Sequence, residues 1–537
     1  MGAVLRALRA LVLLAGFYLL GLAMLTVLGL IDWAATLWAP GPWALKFYVV
    51  TAVLAVPVVR GMLMLRTPQD ELTAGVVVTE ADEPRLWRTV RELAEQVGTR
   101  APDEIRLTAE VNAAVSEDSR LLGLLGGRRR LYLGLPLMAG LSEAQLRSVL
   151  AHEFGHYTHA DTRLSALTAR CRVQVERTVA HFEEKAGGKV AKERARQEKK
   201  AAKRIAKGKK AHEIDTAGVG FTFRTMAKVY GAYGRFSLRA TQADSRRQEL
   251  AADLAAARIA GRDATASALR EIAAVEAANG FYLDAYATLG AEFGLLPPRG
   301  EVFGGVRHLL AARSEELAEL RHDLPTRPAS AYDSHPPIAE RVALLEALPD
   351  DGLGARPSAT ALSLLAAPEA SFAAVEGVSL TPEAQLMRRL EWPELVHTAM
   401  TERVAQETEP LRHATAEVTG SSGTPLDALL DAIDAGEVRR ITDLLPKSAE
   451  AEAATGRAAR EFARPVLRRG LSALVTQALA ADGGARWELS WSGPASLRLP
   501  PGHEDALPAA LDAAVADHAD TRPLRELLGS AAPTAAL

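Results

Sequence analysis

Two histidines four positions apart, with a glutamate directly after the first, stand at His152-Glu153-Phe154-Gly155-His156. On a helix, positions i and i+4 share one face, so both imidazoles can reach a single metal ion. Such a pair suits Zn²⁺, and the glutamate between them is set to take a proton from a metal-activated water. The pattern is rare: a chain of this composition gives roughly 0.02 chance matches. Hydrolytic zinc also needs a third protein ligand and an open position. The best candidate is Glu249, in Ser245-Arg246-Arg247-Gln248-Glu249-Leu250-Ala251-Ala252-Asp253. This segment reads as helix, so Glu249 and Asp253 also share a face. Alone, such a pair is a solvated helix surface; beside the histidine pair it becomes a ligand proposal. His159 follows His156 by three residues, which does not match the longer HExxHxxGxxH spacing, and is not counted as a ligand.

The elements that must position these residues can be read nearby. Ser142 and Gln145 match a capping box, with Leu141 and Leu146 as its hydrophobic staple, so a helix starts at Ser142 and carries His152. Upstream, Leu72–Thr79, Glu104–Thr108 and Arg130–Leu133 read as strands and Glu83–Val97 as an amphipathic helix. Gly126-Gly127 reads as a turn between elements.

The N-terminus reads as membrane anchor. Leu11 to Ile31 is 21 residues without a charge, about the length that crosses a hydrocarbon core of ~30 Å. It is too long for the apolar core of a cleaved signal peptide. A second apolar stretch, Trp43 to Leu65, holds only Lys46 and Arg60 near its ends, where they can reach the headgroups. Trp33, Trp38, Trp43 and Tyr48 fit an interfacial belt. Arg6 and Arg9 precede the first stretch; Arg60 and Arg66 follow the second. The positive-inside rule then gives a multi-pass protein of the cell membrane with everything after residue 66 in the cytoplasm.

The chain has 537 residues and 48% hydrophobic positions, so it is neither disordered nor fibrous. The 63 basic and 66 acidic residues leave a net charge of −3, which excludes bulk polyanion binding. The single cysteine, Cys171, excludes internal disulfides and multi-cysteine metal sites. Lys185 to Lys210 holds twelve Lys or Arg against two Glu. It reads as a solvated helix or insertion, or as a polybasic contact with anionic lipid; no recognition fold accompanies it, so nucleic acid is not expected. Phe221–Phe236 is aromatic-rich and reads as a core helix by default. From residue 351 the chain turns Ala-rich. Thr419–Pro425 reads as a linker and Arg486–Leu499 as a hairpin around Gly493-Pro494, with no chemical motif.

Several motifs in order resemble the M48 family of membrane zinc peptidases, whose relatives include HtpX-type heat-shock proteases and CAAX prenyl-protein proteases. They are HEFGHYTHAD (His152 to Asp161), SRRQELAAD (Ser245 to Asp253), Val111-Asn112-Ala113, and His335-Pro336-Pro337 with Arg341. The resemblance covers about residues 68–348. It implies that His152, His156 and Glu249 hold one zinc and that Glu153 is the general base. Asp253 would donate a proton or support a ligand, Asp161 would orient a ligand histidine, and His335 would steady the oxyanion. Asn112 and Ala113 would lie on an edge strand that pairs with an extended peptide. Close relatives usually carry more membrane spans around the metal helices; the 92 residues between His156 and Glu249 hold no clean span. Prenyl-protein processing is therefore not carried over.

The expected fold is α+β: a mostly helical, zincin-type (gluzincin-like) peptidase domain with N-terminal transmembrane helices and a separate C-terminal α+β region. The expected domains are an anchor at 1–67, a peptidase domain at 68–350 with a basic insertion at 185–212, and a region of unassigned role at 351–537. The expected activity is zinc endopeptidase action on protein or peptide substrates, membrane proteins among them. The rival reading is a latent membrane scaffold that keeps the zinc fold without turnover.

Overall fold

The computed structural model describes residues 3–38, 41–63, 75–120, 125–157, 162–205, 215–324, 336–352, 359–420, 423–447 and 449–530. It is mostly helical with small sheets, and its contacts divide it into two compact units. Met1–Val275 and Glu319–Pro368 form the first; Glu276–Ala318 and Glu369–Leu537 form the second. Residues 276–318, which the sequence reading places with the peptidase domain, are thus grouped with the C-terminal residues.

The first unit begins with two apolar helices, α1 (Ala3–Trp38) and α2 (Gly41–Leu63). Among the described residues, Leu11–Trp38 is the one helix long and apolar enough to cross a membrane; Gly41–Val56 is a shorter apolar helix. The two run antiparallel. Thr51 donates to Asp32 at 2.7 Å, and Met62 lies over Gly21, where a Cβ would come within 2.6 Å of its sulfur. Leu19, Leu22 and Val27 of α1 and Val49, Val53 and Val56 of α2 are exposed. An apolar surface of this extent on a folded chain marks a membrane or partner contact.

A four-stranded sheet follows, built from β1 (Val76–Val78), β2 (Glu104–Thr108), β3 (Ala113–Arg120) and β4 (Leu125–Gly134) in the order β1-β2-β4-β3. Only β2 and β4 pair in parallel. Ile105, Leu107, Leu131 and Leu133 are fully buried, as alternation on two interior strands requires. The amphipathic helix α3 (Pro84–Val97) ends at Gly98 with φ 80°, the left-handed C-cap that glycine adopts at little cost. The expected turn at Gly126-Gly127 is not there: both glycines are strand residues of β4, with Gly126 opposite Ser119. The ladder supplies the backbone bonds that a turn would have supplied, and the register slips between Glu117 and Ser119, an irregularity glycine tolerates.

After α4 (Leu135–Gly140) come the site-bearing helices: α5 (Glu143–Gly155), α6 (Thr162–Ile205), α7 (Phe221–Ala260) and α8 (Arg262–Tyr282). α5 packs closely on α7 because Gly155 has no side chain: a Cβ there would lie 3.2 Å from the Cα of Ala252. Ser148 donates to Thr265 at 2.8 Å, fixing α5 against the start of α8. α6 and α7 form a long antiparallel hairpin whose far end is closed by Asp215 N donating to Gln197 at 2.9 Å. One side of this hairpin lies on α1. Phe17, Val175, Phe182, Ala227 and Tyr230 share a buried cluster, and Phe17 and Tyr230 are 5.2 Å apart between ring centres. The basic run is therefore helix through residue 205. The aromatic stretch divides: Tyr230 is buried, whereas Phe221 and Phe236 are exposed.

In the second unit, Leu429, Ile441, Leu471, Val475 and Leu524 are core residues of a helical bundle. The expected hairpin is present as strands Arg486–Glu488 and Ser496–Arg498, and Trp491 between them stacks on Tyr286 at 4.9 Å. The expected linker lies between a helix ending at Thr419 and one starting at Pro425; its residues 421–422 fall outside the described residues.

The approach of α5 to α7 depends on one missing side chain. Gly155→Leu should wedge the helices apart, lower stability by about 1–3 kcal/mol and reduce bound zinc. A melting temperature and zinc content equal to wild type would contradict that packing.

Candidate metal centre

The helix that carries the histidines is fixed at its start by the expected capping box. Gln145 N donates to the Ser142 hydroxyl at 3.3 Å, and Ser142 N donates to the Gln145 side-chain oxygen at 2.9 Å. Leu141 and Leu146 are both buried. From that start, two and a half turns bring His152 to the buried side facing α7. His156 caps the helix and stays half-buried. Glu249 and Asp253, one turn apart on α7, are both buried.

The three expected ligands converge. The Nε2 atoms of His152 and His156 are 3.2 Å apart; His152 Nε2 lies 3.6 Å from Glu249 Oε2 and His156 Nε2 3.6 Å from Glu249 Oε1. A tetrahedral ion with bonds of ~2.0–2.1 Å holds its ligand atoms ~3.4 Å apart. With one ligand atom from each residue, all within 4.8 Å of one another, the three form a group that can hold a metal, and two imidazoles and one carboxylate are a donor set that suits zinc.

Behind them lies a chain of charges. Asp253 accepts from His152 Nδ1 at 2.9 Å, which aims the opposite nitrogen at the ligand group. Asp253 is held by a bidentate pair with Arg341, with Nε at 2.8 Å and Nη2 at 2.6 Å. The Nη1 of Arg341 lies 3.9 Å from Glu249. Arg341 comes from the helix Ile338–Glu346 and is itself buried. Burial opposes the charge on Asp253, but the hydrogen bonds from Arg341 and His152 outweigh it and hold its pKa below the ordinary value. Burial also opposes a charge on His152. Hydrogen bonds to Asp253 and Glu249, with the Glu153 charge, override it and raise the metal-free imidazole to about 9.

β3 is an edge strand of the sheet. Gly134 N donates to the Asn112 carbonyl at 2.8 Å, so Asn112 points its backbone at β4. Antiparallel alternation then turns the backbone groups of Ala113 and Val115 toward the open edge. The Tyr157 hydroxyl, one residue past His156, donates to the Val115 carbonyl at 2.6 Å. The Arg129 guanidinium lies 4.6 Å from the Tyr157 ring centre and donates to Glu117 at 3.1 Å. Burial pushes the Tyr157 hydroxyl up to about 12, so it stays a donor at neutral pH.

Asp161 and His335 lie outside the described residues. The sequence reading missed the contact of Arg341 with Asp253, since 88 positions separate them. Its one signal was the Arg at a fixed step after His335-Pro336. It also missed Tyr157, whose only signal was its place beside His156.

Removing one partner of a buried ion pair costs about 3–5 kcal/mol. Arg341→Met should destabilise the chain on that scale and weaken zinc binding roughly 10–100-fold, read by melting and by chelator competition. Adding Asp253→Asn should recover stability but not zinc affinity; full recovery of both would remove the pair from metal positioning. With His152 raised to about 9, the metal-free site carries that proton at neutral pH. Zinc uptake at pH ~7 should then release it, seen as a binding heat that changes with the ionisation enthalpy of the buffer. A heat independent of buffer would mean that His152 is already neutral.

No curated protein and no solved structure gives a significant match to this chain. The profile of Peptidase family M48 matches residues 80–348, half of the sequence. His152, Glu249 and Arg341, brought together from three helices, all fall inside that match, and the chain belongs to peptidase family M48.

Proposed function

We propose that this peptidase is a membrane-anchored zinc endopeptidase whose site faces the cytoplasm. The observation that carries the reading is the spacing of His152, His156 and Glu249, which suits a tetrahedral ion. Zinc held there would supply a Lewis acid and an acidified water. Glu153, next to His152 on α5 and part of its electrostatic surroundings, is the general base and carries the proton toward the leaving amine. Asp253 is assigned to positioning: it is ionised, buried and occupied by Arg341 and His152, so it holds no proton to donate at neutral pH. An extended substrate would add to the edge of β3 through the backbone of Ala113.

Anchoring rests on α1. The Tyr233 hydroxyl donates to the Leu13 carbonyl, and α7 runs on from there to Glu249. The metal site therefore lies off the N-terminal end of α1, the end flanked by Arg6 and Arg9. Positive-inside charge supports a cytoplasmic place for that end. A second crossing by α2 would keep the following residues on the same side.

Glu153→Gln should retain about one zinc per chain, the number a single such site holds, and lose cleavage of a quenched peptide at least about 100-fold. Zinc without cleavage in wild type and variant alike would favour the latent scaffold. Retained cleavage in Glu153→Gln would remove Glu153 from the base role.

A further inference from the structure

The side of the α6–α7 hairpin that does not meet Phe17 carries a groove of about 990 Å³. Its size is at the top of the ~300–1,000 Å³ range of small-molecule sites. Most of the floor is apolar or bare, with Val175 and Val179 from α6 and Gly231 and Gly234 from α7; the Arg235 guanidinium lies at its edge beside Gly231. A Cβ on Gly234 would meet Val175 at 2.7 Å, so the helices touch there and close the floor. At Gly231 a Cβ would meet Arg235 at 3.7 Å and Val179 at 4.0 Å, ordinary contact distances, so a methyl group fits there and a larger side chain would enter the groove. Toward the closed end of the hairpin the rim turns cationic, with Arg194, Arg224 and Lys228; Glu183 is the one carboxylate among the lining residues. Arg194 has a partner in Glu198 at 3.1 Å, but both are well exposed and such a pair counts for little.

We propose that this groove binds one anionic phospholipid of the bilayer, its acyl chain on the glycine-lined floor and its phosphate between Arg224 and Lys228, one turn apart on α7. The proposal rests on α1 lying in the membrane and not on the peptidase reading. Val175 and Ala227 belong both to the groove lining and to the buried cluster around Phe17, so the groove is one helix layer from α1. Phe236, 61% exposed on α7, extends the apolar surface on that hairpin. From Val175 to Arg194 the groove runs along α6 for ~28 Å. That exceeds half of the ~30 Å hydrocarbon core, the depth one acyl chain occupies. Cations at such depth are costly unless an anion faces them, and a lipid phosphate meets that need where a zwitterionic head does so poorly.

The test uses the full chain in mild detergent. It is incubated with phosphatidylglycerol or phosphatidylcholine and passed through gel filtration, and retained lipid is read by native mass spectrometry. Wild type should keep about one phosphatidylglycerol and at least about tenfold less phosphatidylcholine. Millimolar inorganic phosphate should not displace the lipid, because the chain is held as well as the head. Gly231→Leu should lose the lipid while zinc content and cleavage of a short soluble peptide stay unchanged. Arg224→Gln with Lys228→Gln should lose the preference between the two lipids and covers the case in which Gly231→Leu does not fold. Equal retention of both lipids by wild type, or undiminished retention by Gly231→Leu, would overturn the proposal. So would no lipid in any arm, which would leave the groove to an apolar protein segment.

Discussion

The first unit depends on a buried carboxylate that serves two helices at once. Asp253 fixes the His152 ring through Nδ1 and receives both arms of Arg341, all out of water. Each partner alone would be costly to bury, and together they make sense only when α5, α7 and the helix Ile338–Glu346 are in place. The pair is therefore less a source of stability than a condition on geometry. It lets the metal-binding nitrogens converge only in the folded arrangement, and it sets the tautomer of the more buried histidine. The close contact at Gly155 belongs to the same condition, since the distance from α5 to α7 is also the distance from His152 to Glu249.

What was legible in the sequence was what local spacing encodes. The capping box at Ser142 and Gln145 fixed the start of α5, and the step from His152 to His156 fixed their common face. Glu249 was found by pairing one helical pattern with another. Arg341 stood in a noticed motif, but its role is a contact across 88 residues, and no local pattern carries that. The Gly126-Gly127 error has a similar cause. Glycine pairs are turn signals locally, yet here a neighbouring strand supplied the bonds that decide between turn and ladder. Asp161 and His335 depend on the family resemblance.

The segment between the metal helices was the least readable part. Its charge hid any spanning signal, and from sequence it read as a solvated helix or insertion or as a polybasic contact with anionic lipid. In the fold it is a hairpin with one apolar side against α1 and cations on another. A helix can be too charged to read as a span and still run beside one, because the burden of facing lipid is divided among neighbours. Hydropathy averaged along the chain cannot detect such a division; it needs the identity of the neighbour.

Tyr157 ties the edge strand β3 to the end of the helix that carries His152 and His156. It is bonded covalently to His156 and through its hydroxyl to the Val115 carbonyl, two residues from Ala113. If a substrate strand adds at Ala113 as proposed, the Tyr157 hydroxyl would compete with it for that carbonyl and disfavour a longer ladder. The stretch from the last backbone pair to a metal held by His152, His156 and Glu249 would then be a ruler of fixed length. The bond that is cut would then be chosen by counting along the backbone from where pairing stops, leaving side chains to decide only how long a polypeptide stays.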